Sequence, residues 1–346
     1  MTRIYRYLLV TVAITIAIVA TACSSAGSDE VVLLTHDSFA LSDETLAAFT
    51  EETGLELVIT TAGDAGTMLN QAILTKDNPI ADVIYGIDNT FLSRAIDAGI
   101  FVPHRAAAID SVSPVLYVRE DMATPIDFGD VCVNYDIAAL SVAGVPAPVS
   151  LADLTLPAYR DMLVVQDPAL SSPGLAFLMA TIAEYPEGAE YDWKAYWRDL
   201  FANGVAVSPN WTNAYTSRFS WSGGDRPLVV SYASSPPAEV LFGELAEAPT
   251  AVMAQGCFRQ VEFAGVLAGA SNEAGARLFV DFLLERLTQE DIPLNMFVYP
   301  TNTDATLPDI FARYTTFPEQ PVVMEPGTIE MNRERWIQEW IDIARS

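Results

Sequence analysis

Val207-Ser208-Pro209-Asn210-Trp211 and, a short polar interval later, Leu228-Val229-Val230-Ser231-Tyr232-Ala233-Ser234-Ser235-Pro236-Pro237 carry the pattern on which the fold turns. Leu228 to Val230 is an apolar run of strand length, and it leads into hydroxyl and aromatic side chains before two prolines stop it. Tyr232, Ser234 and Ser235 therefore sit at the end of a strand. In open α/β folds ligands collect outside the carboxyl ends of the strands, so this segment and Trp211 are expected to form one wall of a ligand site. Each aromatic taken singly could equally be a packing residue.

The same motif recurs toward the N-terminus. Val31 to Thr35 is a continuous apolar run, typical of a strand buried on both faces, and it ends in His36-Asp37-Ser38-Phe39. Ser42 can cap a helix whose first turn carries Asp43 and Glu44 and which Gly54 closes. Leu57 to Thr61 reads as a second strand, Gly63-Asp64-Ala65-Gly66 as a turn, Thr67 to Thr75 as a helix and Asp82 to Ile87 as a third strand. A helix from Thr90 to Gly99 follows. Strands alternating with helices of this length predict a parallel sheet with helices on both faces.

Near Thr124 the pattern changes, and Pro125 to Tyr135 is extended enough to cross between two lobes. A second α/β unit follows, with a strand at Met162 to Val165, a helix opened by Ser171-Ser172-Pro173-Gly174, and an aromatic helix carrying Trp193, Tyr196, Trp197 and Phe201. Phe258 to Leu267 reads as the return crossing. The expectation is an α/β protein of two lobes joined by two crossings, one lobe formed by 31–124 with 263–312 and the other by 125–262. Residues 313–346 form a C-terminal helical segment with Trp336, Ile337, Trp340 and Ile341 on one face.

The first 22 residues have the form of a secretory leader: Arg3 and Arg6, an apolar run from Tyr7 to Val19 broken only by two threonines, then Ala20-Thr21-Ala22-Cys23. Small residues before Cys23 and Ser24-Ser25-Ala26-Gly27-Ser28 after it resemble the lipobox of bacterial lipoproteins, which predicts an acylated Cys23 on a linker spanning 23–30. The alternative is plain cleavage and secretion. The chain carries 45 acids against 18 lysines and arginines, a net charge of −27 that becomes −29 without the leader. That balance repels nucleic acid and favours a cationic ligand, although solubility alone also accounts for it. Cys132 and Cys257 are left once Cys23 is set aside; outside the cytoplasm they pair most simply as a disulfide, with two buried thiols as the alternative.

Reaction chemistry finds little support. Only His36 and His104 exist, so no zinc-ligand spacing occurs. His36, Asp37 and Ser38 are consecutive, and neighbours on an extended segment point to alternate sides, so they cannot form a catalytic relay. No Gly-x-Ser-x-Gly elbow, P-loop or Gly-x-Gly-x-x-Gly is present. The expectation is a binding protein, not an enzyme, with a secreted hydrolase as the distant alternative.

The segments Leu34 to Phe39, Ala81-Asp82-Val83, Gly86 to Asn89, Pro125 to Gly129, Val165 to Pro168, Ser171 to Leu175, Trp211, Val230-Ser231-Tyr232, Ser234-Ser235-Pro236, Gln260-Val261-Glu262 and Tyr299-Pro300 occur in one order over nearly the whole mature chain. Together they resemble the thiamine-binding periplasmic proteins of bacterial thiamine ABC transporters. The resemblance implies a two-lobed periplasmic-binding-protein fold of type II with two hinge-crossing segments. It also implies a ligand, thiamine or a thiamine phosphate, held without cofactor or metal by Asp64 and Ala65 from one lobe and Ser171 and Ser172 from a helix start on the other. Trp211, Tyr232, Ser234, Ser235, Phe297 and His36 would surround it. Thiamine has a permanently cationic thiazolium and a flat aminopyrimidine, which call for aromatic faces and a nearby carboxylate. At three places the chain departs from the family: His36 and Ala238 stand where it has tyrosine, and Phe297 where it has tryptophan. Another small organic cation or a pyrimidine precursor is the alternative ligand. The implied partners are a permease and its ATPase and, through the lipid anchor, the cell membrane; a monomer is expected.

Overall fold

A computed structural model describes residues 29–116 and 121–346. The leader, Cys23 and most of the linker lie outside the described residues.

The N-terminal half begins as the alternation predicts. Strand β1 (Glu30–Thr35) is followed by helix α1 (Asp43–Thr53), strand β2 (Glu56–Thr61), helix α2 (Ala65–Leu74), strand β3 (Val83–Asp88), helix α3 (Leu92–Asp97) and the short β4 (Phe101–Val102). Ser42 caps α1 through its hydroxyl, which accepts the Thr45 N–H, and Gly54 closes it in the left-handed conformation. β1 lies parallel to both β2 and β3. A long strand β5 (Thr124–Asp136) then leads through α4 (Ile137–Ala143) to β6 (Leu163–Gln166), α5 (Ser172–Glu184), α6 (Trp193–Ala202), β7 (Ala206–Ser208), β8 (Leu228–Tyr232) and α7 (Pro236–Gly243). The chain returns along β9 (Thr250–Leu267) to α8 (Glu273–Leu283), α9 (Arg286–Asn295), β10 (Tyr299–Pro300), α10 (Asp309–Tyr314) and α11 (Pro326–Ala344).

The strands form one mixed sheet ordered β2-β1-β3-β9-β5-β8-β6-β7, with β4 and β10 added to β9 and β5. The parallel pairing expected of β1, β2 and β3 is present on one flank. Only the flanks of the sheet are parallel; the centre is antiparallel, because β5 carries the chain out of one lobe and β9 brings it back alongside. The return crossing is also longer than its apolar part, starting at Thr250 and not Phe258. Strand pairing recruits Thr250 to Met253 opposite Val133 to Asp136, ahead of the run that begins at Phe258. A register shift sets Val131 opposite Phe258 and Val133 opposite Met253, so residues 254–257 bulge outward where Cys132 sits. A disulfide joins Cys132 to Cys257 at that bulge.

Two large apolar clusters support the molecule, the second running through both lobes. One gathers Phe49 of α1, Val31 and Leu33 of β1, and Phe279 and Phe282 of α8. The other contains Phe177 of α5 and Trp193 and Trp197 of α6, and it takes in Trp336 and Trp340 of α11. Helix α11 packs on both α6 and α3, spanning the two lobes, and Trp340 meets Trp197 edge-on at 5.4 Å. Burying each of these indoles is worth about 3 kcal/mol before ordering costs.

Candidate ligand site

A cavity of about 630 Å³ opens between the strand ends of the two lobes. His36, Asp37 and Ser38 line it from the end of β1, Asp64 from the end of β2, and Tyr232 and Ser235 from the end of β8. The 211–222 segment, Glu262 of β9 and residues 295–298 complete the walls. Six aromatic rings face it, Trp211, Tyr215, Trp221, Tyr232, Phe242 and Phe297. So do four carboxylic side chains, Asp37, Asp64, Glu239 and Glu262, and the lining contains neither lysine nor arginine.

Asp64 caps α2 and also reaches across the cleft. Its Oδ1 accepts the Ala65 N–H at 2.9 Å, while Oδ2 accepts the Ser171 hydroxyl at 2.6 Å and the Trp211 N–H at 3.2 Å. Burial raises the Asp64 pKa above its ordinary value against the pull of these donors. Next to it the Gly66 N–H donates to the Leu170 carbonyl at 3.0 Å, and a Cβ on residue 66 would lie 2.7 Å from the Ala169 carbonyl oxygen. Ser38 and Thr212 hydroxyls meet at 3.3 Å across the same gap. These contacts hold the two lobes together at one end of the cavity.

Trp211 opens the turn after Asn210, whose side chain accepts the Asn213 N–H. One face of its indole is covered by Tyr215, stacked at 4.8 Å and 18°, and its Nε1 donates to Ser231 Oγ at 2.9 Å. Ser231 Oγ lies 2.9 Å from Ser235 Oγ, so the strand-end hydroxyls orient the indole. Tyr215 in turn donates to Glu239, which also receives the Thr250 hydroxyl. Burial pushes the Glu239 pKa up to about 7.

At the floor, His36 Nδ1 accepts the Ser38 N–H at 3.2 Å and Nε2 lies 3.4 Å from Glu262 Oε2. Burial opposes charge on His36, but the carboxylates of Glu262, Asp64 and Asp127 outweigh it and raise its pKa. A bulge between Tyr85 and Ile87 makes room for the ring: Gly86 has φ 97°, and a Cβ there would be 2.2 Å from His36 Cδ2. Glu262 Oε1 accepts from Gln260 Nε2 at 2.9 Å, and the same amide nitrogen is 3.0 Å from the Tyr232 hydroxyl. At the mouth Phe297, itself at φ 56°, meets Phe242 edge-on at 5.4 Å and stacks on Phe311 at 6.2 Å.

Of the residues expected around a ligand, His36, Asp64, Trp211, Tyr232, Ser235 and Phe297 come together on the cavity wall. Ala65, Ser171, Ser172 and Ser234 are buried behind it. Ser171 serves Asp64, and Ser172 lies against Asp88, whose pKa burial raises to about 6. Sequence reasoning gave no role to Tyr215, Glu239 or Glu262. Among 45 acids nothing singles out two, and only the pairing of β9 with β5 and β3 turns Glu262 into the cavity. Among the described residues no grouping of three or more His, Cys, Asp or Glu could hold a metal ion, and no helix is long and apolar enough to cross a membrane.

The family profile described as "Bacterial extracellular solute-binding protein" matches residues 78–317. The thiamine-binding periplasmic protein of Escherichia coli strain K12 is 29% identical over 310 residues, covering 88% of this chain and 90% of that protein. Its namesake in Brucella melitensis is 25% identical over 330 residues, covering 94% and 95%. Among solved structures, a periplasmic thiamin binding protein aligns with a TM-score of 0.82 at 28% identity over 93% of this chain and 98% of that one.

Proposed function

This chain belongs to the bacterial extracellular solute-binding proteins, and from that premise we propose that it captures thiamine in the cleft between its lobes and hands it, chemically unchanged, to the permease of an ABC importer. The observation that carries the proposal is the cavity wall: six aromatic rings and four carboxylic side chains, without a lysine or arginine. A heteroaromatic cation matches that wall on both counts, since its rings stack and its charge is attracted by the carboxylates and the aromatic faces. Two relatives named for thiamine binding, aligned over most of their length, point the same way. A thiamine phosphate would find no lysine or arginine on the lining and would face four carboxylic side chains, so the free vitamin is the favoured form.

Delivery from the outer face of a membrane fits the leader and Cys23, so the mature protein is proposed to be a monomer tethered by an acylated Cys23 near its permease and ATPase. Calorimetry with thiamine, thiamine phosphate and choline tests the ligand. One thiamine site, with weaker binding of the phosphate and of choline, is expected; failure of thiamine to bind overturns the proposal. Mass spectrometry of the N-terminal peptide from membranes tests the tether, and an unacylated Cys23 overturns it.

A further inference from the structure

We infer that Glu262, steered by His36, is the specificity-determining carboxylate of the cleft, the group that answers the positive charge of the bound heterocycle. The inference rests on the proposed cationic ligand. It follows from counting donors at the four carboxylic side chains that face the cavity.

Asp64 has both oxygens occupied by protein donors, three in all. Glu239 receives a hydroxyl on each oxygen, from Tyr215 and Thr250. Asp37 accepts the Gly63 N–H and is exposed, so water screens it. Glu262 differs from all three. One oxygen is held by Gln260, and the other has, among the described residues, only the longer ion pair with His36 Nε2 at 3.4 Å. Its side chain is about 11% exposed, so a ligand charge placed there is little screened by water. A carboxylate oxygen that faces the cavity with room for a further partner can receive a cation placed there.

The surroundings hold this group in place. Gly86 leaves the space His36 occupies, and the Ser38 N–H fixes Nδ1 as an acceptor, which directs a proton on Nε2 toward Glu262. Gln260 ties Glu262 to Tyr232, one of the aromatic faces. The carboxylate is thus set at a fixed point beside a ring, where a flat cation would stack.

The test compares thiamine with its neutral isostere, in which a thiophene replaces the thiazolium, by calorimetry on the full mature protein. Glu262→Gln keeps the shape and the bond from Gln260 and removes the charge. Its affinity for thiamine should fall about 10- to 100-fold, as for a charge-assisted contact, while the isostere loses no more than about 2-fold. Glu262→Asp, which keeps the charge but withdraws it, should lie between wild type and Glu262→Gln for thiamine. In ligand-free protein the NMR titration of His36 should move to lower pH in Glu262→Gln, which checks the pair without any ligand. Equal losses for both ligands, undiminished thiamine binding or an unmoved His36 titration would each overturn the inference and leave the proposed function standing. Wild-type protein that binds neither compound would overturn the proposed function and this inference with it.

Discussion

The two ends of the cleft treat a buried carboxylate in opposite ways. At the Asp64 end every oxygen is filled by the protein, with donors drawn from both lobes, so the group serves as a clasp and has little left to offer a ligand. At the Glu262 end the protein supplies one firm donor and an imidazole at 3.4 Å, which leaves the charge facing the cavity. The difference separates closing from reading. A carboxylate satisfied across a gap stabilises whatever conformation brings its donors together, whereas one left short of donors discriminates among the molecules that enter.

The largest expected effect tests whether both ends depend on the shared hinge. The Cys132–Cys257 bond closes a loop with a sequence separation of 125, and replacing both cysteines by alanine should destabilise the protein by about 4 kcal/mol. Chemical denaturation checks it; because the bond lies at the central strands, the relative affinities for thiamine and its neutral isostere should stay unchanged. A changed ratio would mean that the hinge, and not Glu262, tunes the charge reading.

Glu239 is a third case, buried and fully hydrogen-bonded yet within one lobe. Its folded pKa of about 7 stands above the 4.5 of an ordinary glutamate. Between those values the folded state holds a proton that the unfolded chain has lost, so the stability from this group is present below pH 4.5 and disappears as pH rises through 7. The loss is about 3 kcal/mol, and Glu239→Gln should flatten that part of the stability profile measured by urea denaturation. Asp88, raised to about 6, contributes in the same direction and should survive as the residual slope.

Trp211 belongs to both ends, its main chain in the clasp and its ring on the wall. Trp211→Ala keeps the N–H that Asp64 accepts and should cost about 2 kcal/mol of thiamine affinity with little change in melting temperature. Trp211→Phe should cost less. If melting temperature falls in step with affinity, the indole is packing for Tyr215 and not a face for the ligand.

The smallest effect belongs to the clasp itself. Ser171→Ala removes one donor from Asp64, and Asp64→Asn exchanges one of its acceptor oxygens for a donor; each should cost about 1 kcal/mol of affinity. The loss should be equal for thiamine and the neutral isostere, and small-angle scattering should report a larger open population. A selective loss for the cation would instead give Asp64 the charge-balancing role and weaken the case for Glu262.

Much of the architecture was legible because it is written locally. The apolar run ending at Thr35, the Ser42 cap and the Gly54 stop mark β1 and α1 to within a residue or two. The strand-end placement of Tyr232 and Ser235 follows from the same kind of pattern. What stayed hidden depends on partners far along the chain. Asp64 meets Ser171 from 107 residues away, and Thr250 to Met253 join β9 by pairing with β5. Neither leaves a mark in hydropathy. Alternation describes the parallel strands of each lobe and is silent about the antiparallel strands that join them. The facing of Glu262 is hidden too, since a strand's facing depends on bulges such as the one at Gly86.

The close approach at Gly66 makes that position a built-in gauge of closure. With a Cβ there set to fall 2.7 Å from a carbonyl oxygen of the opposite lobe, even alanine acts as a wedge under a door. Such a wedge leaves the rings and Glu262 untouched while holding the jaws ajar. A Gly66→Ala protein would therefore present cargo without the shut outline, the counterpart of an empty protein that presents neither. Set before a permease, the two would separate a transporter that checks the parcel from one that checks only whether the lid is down.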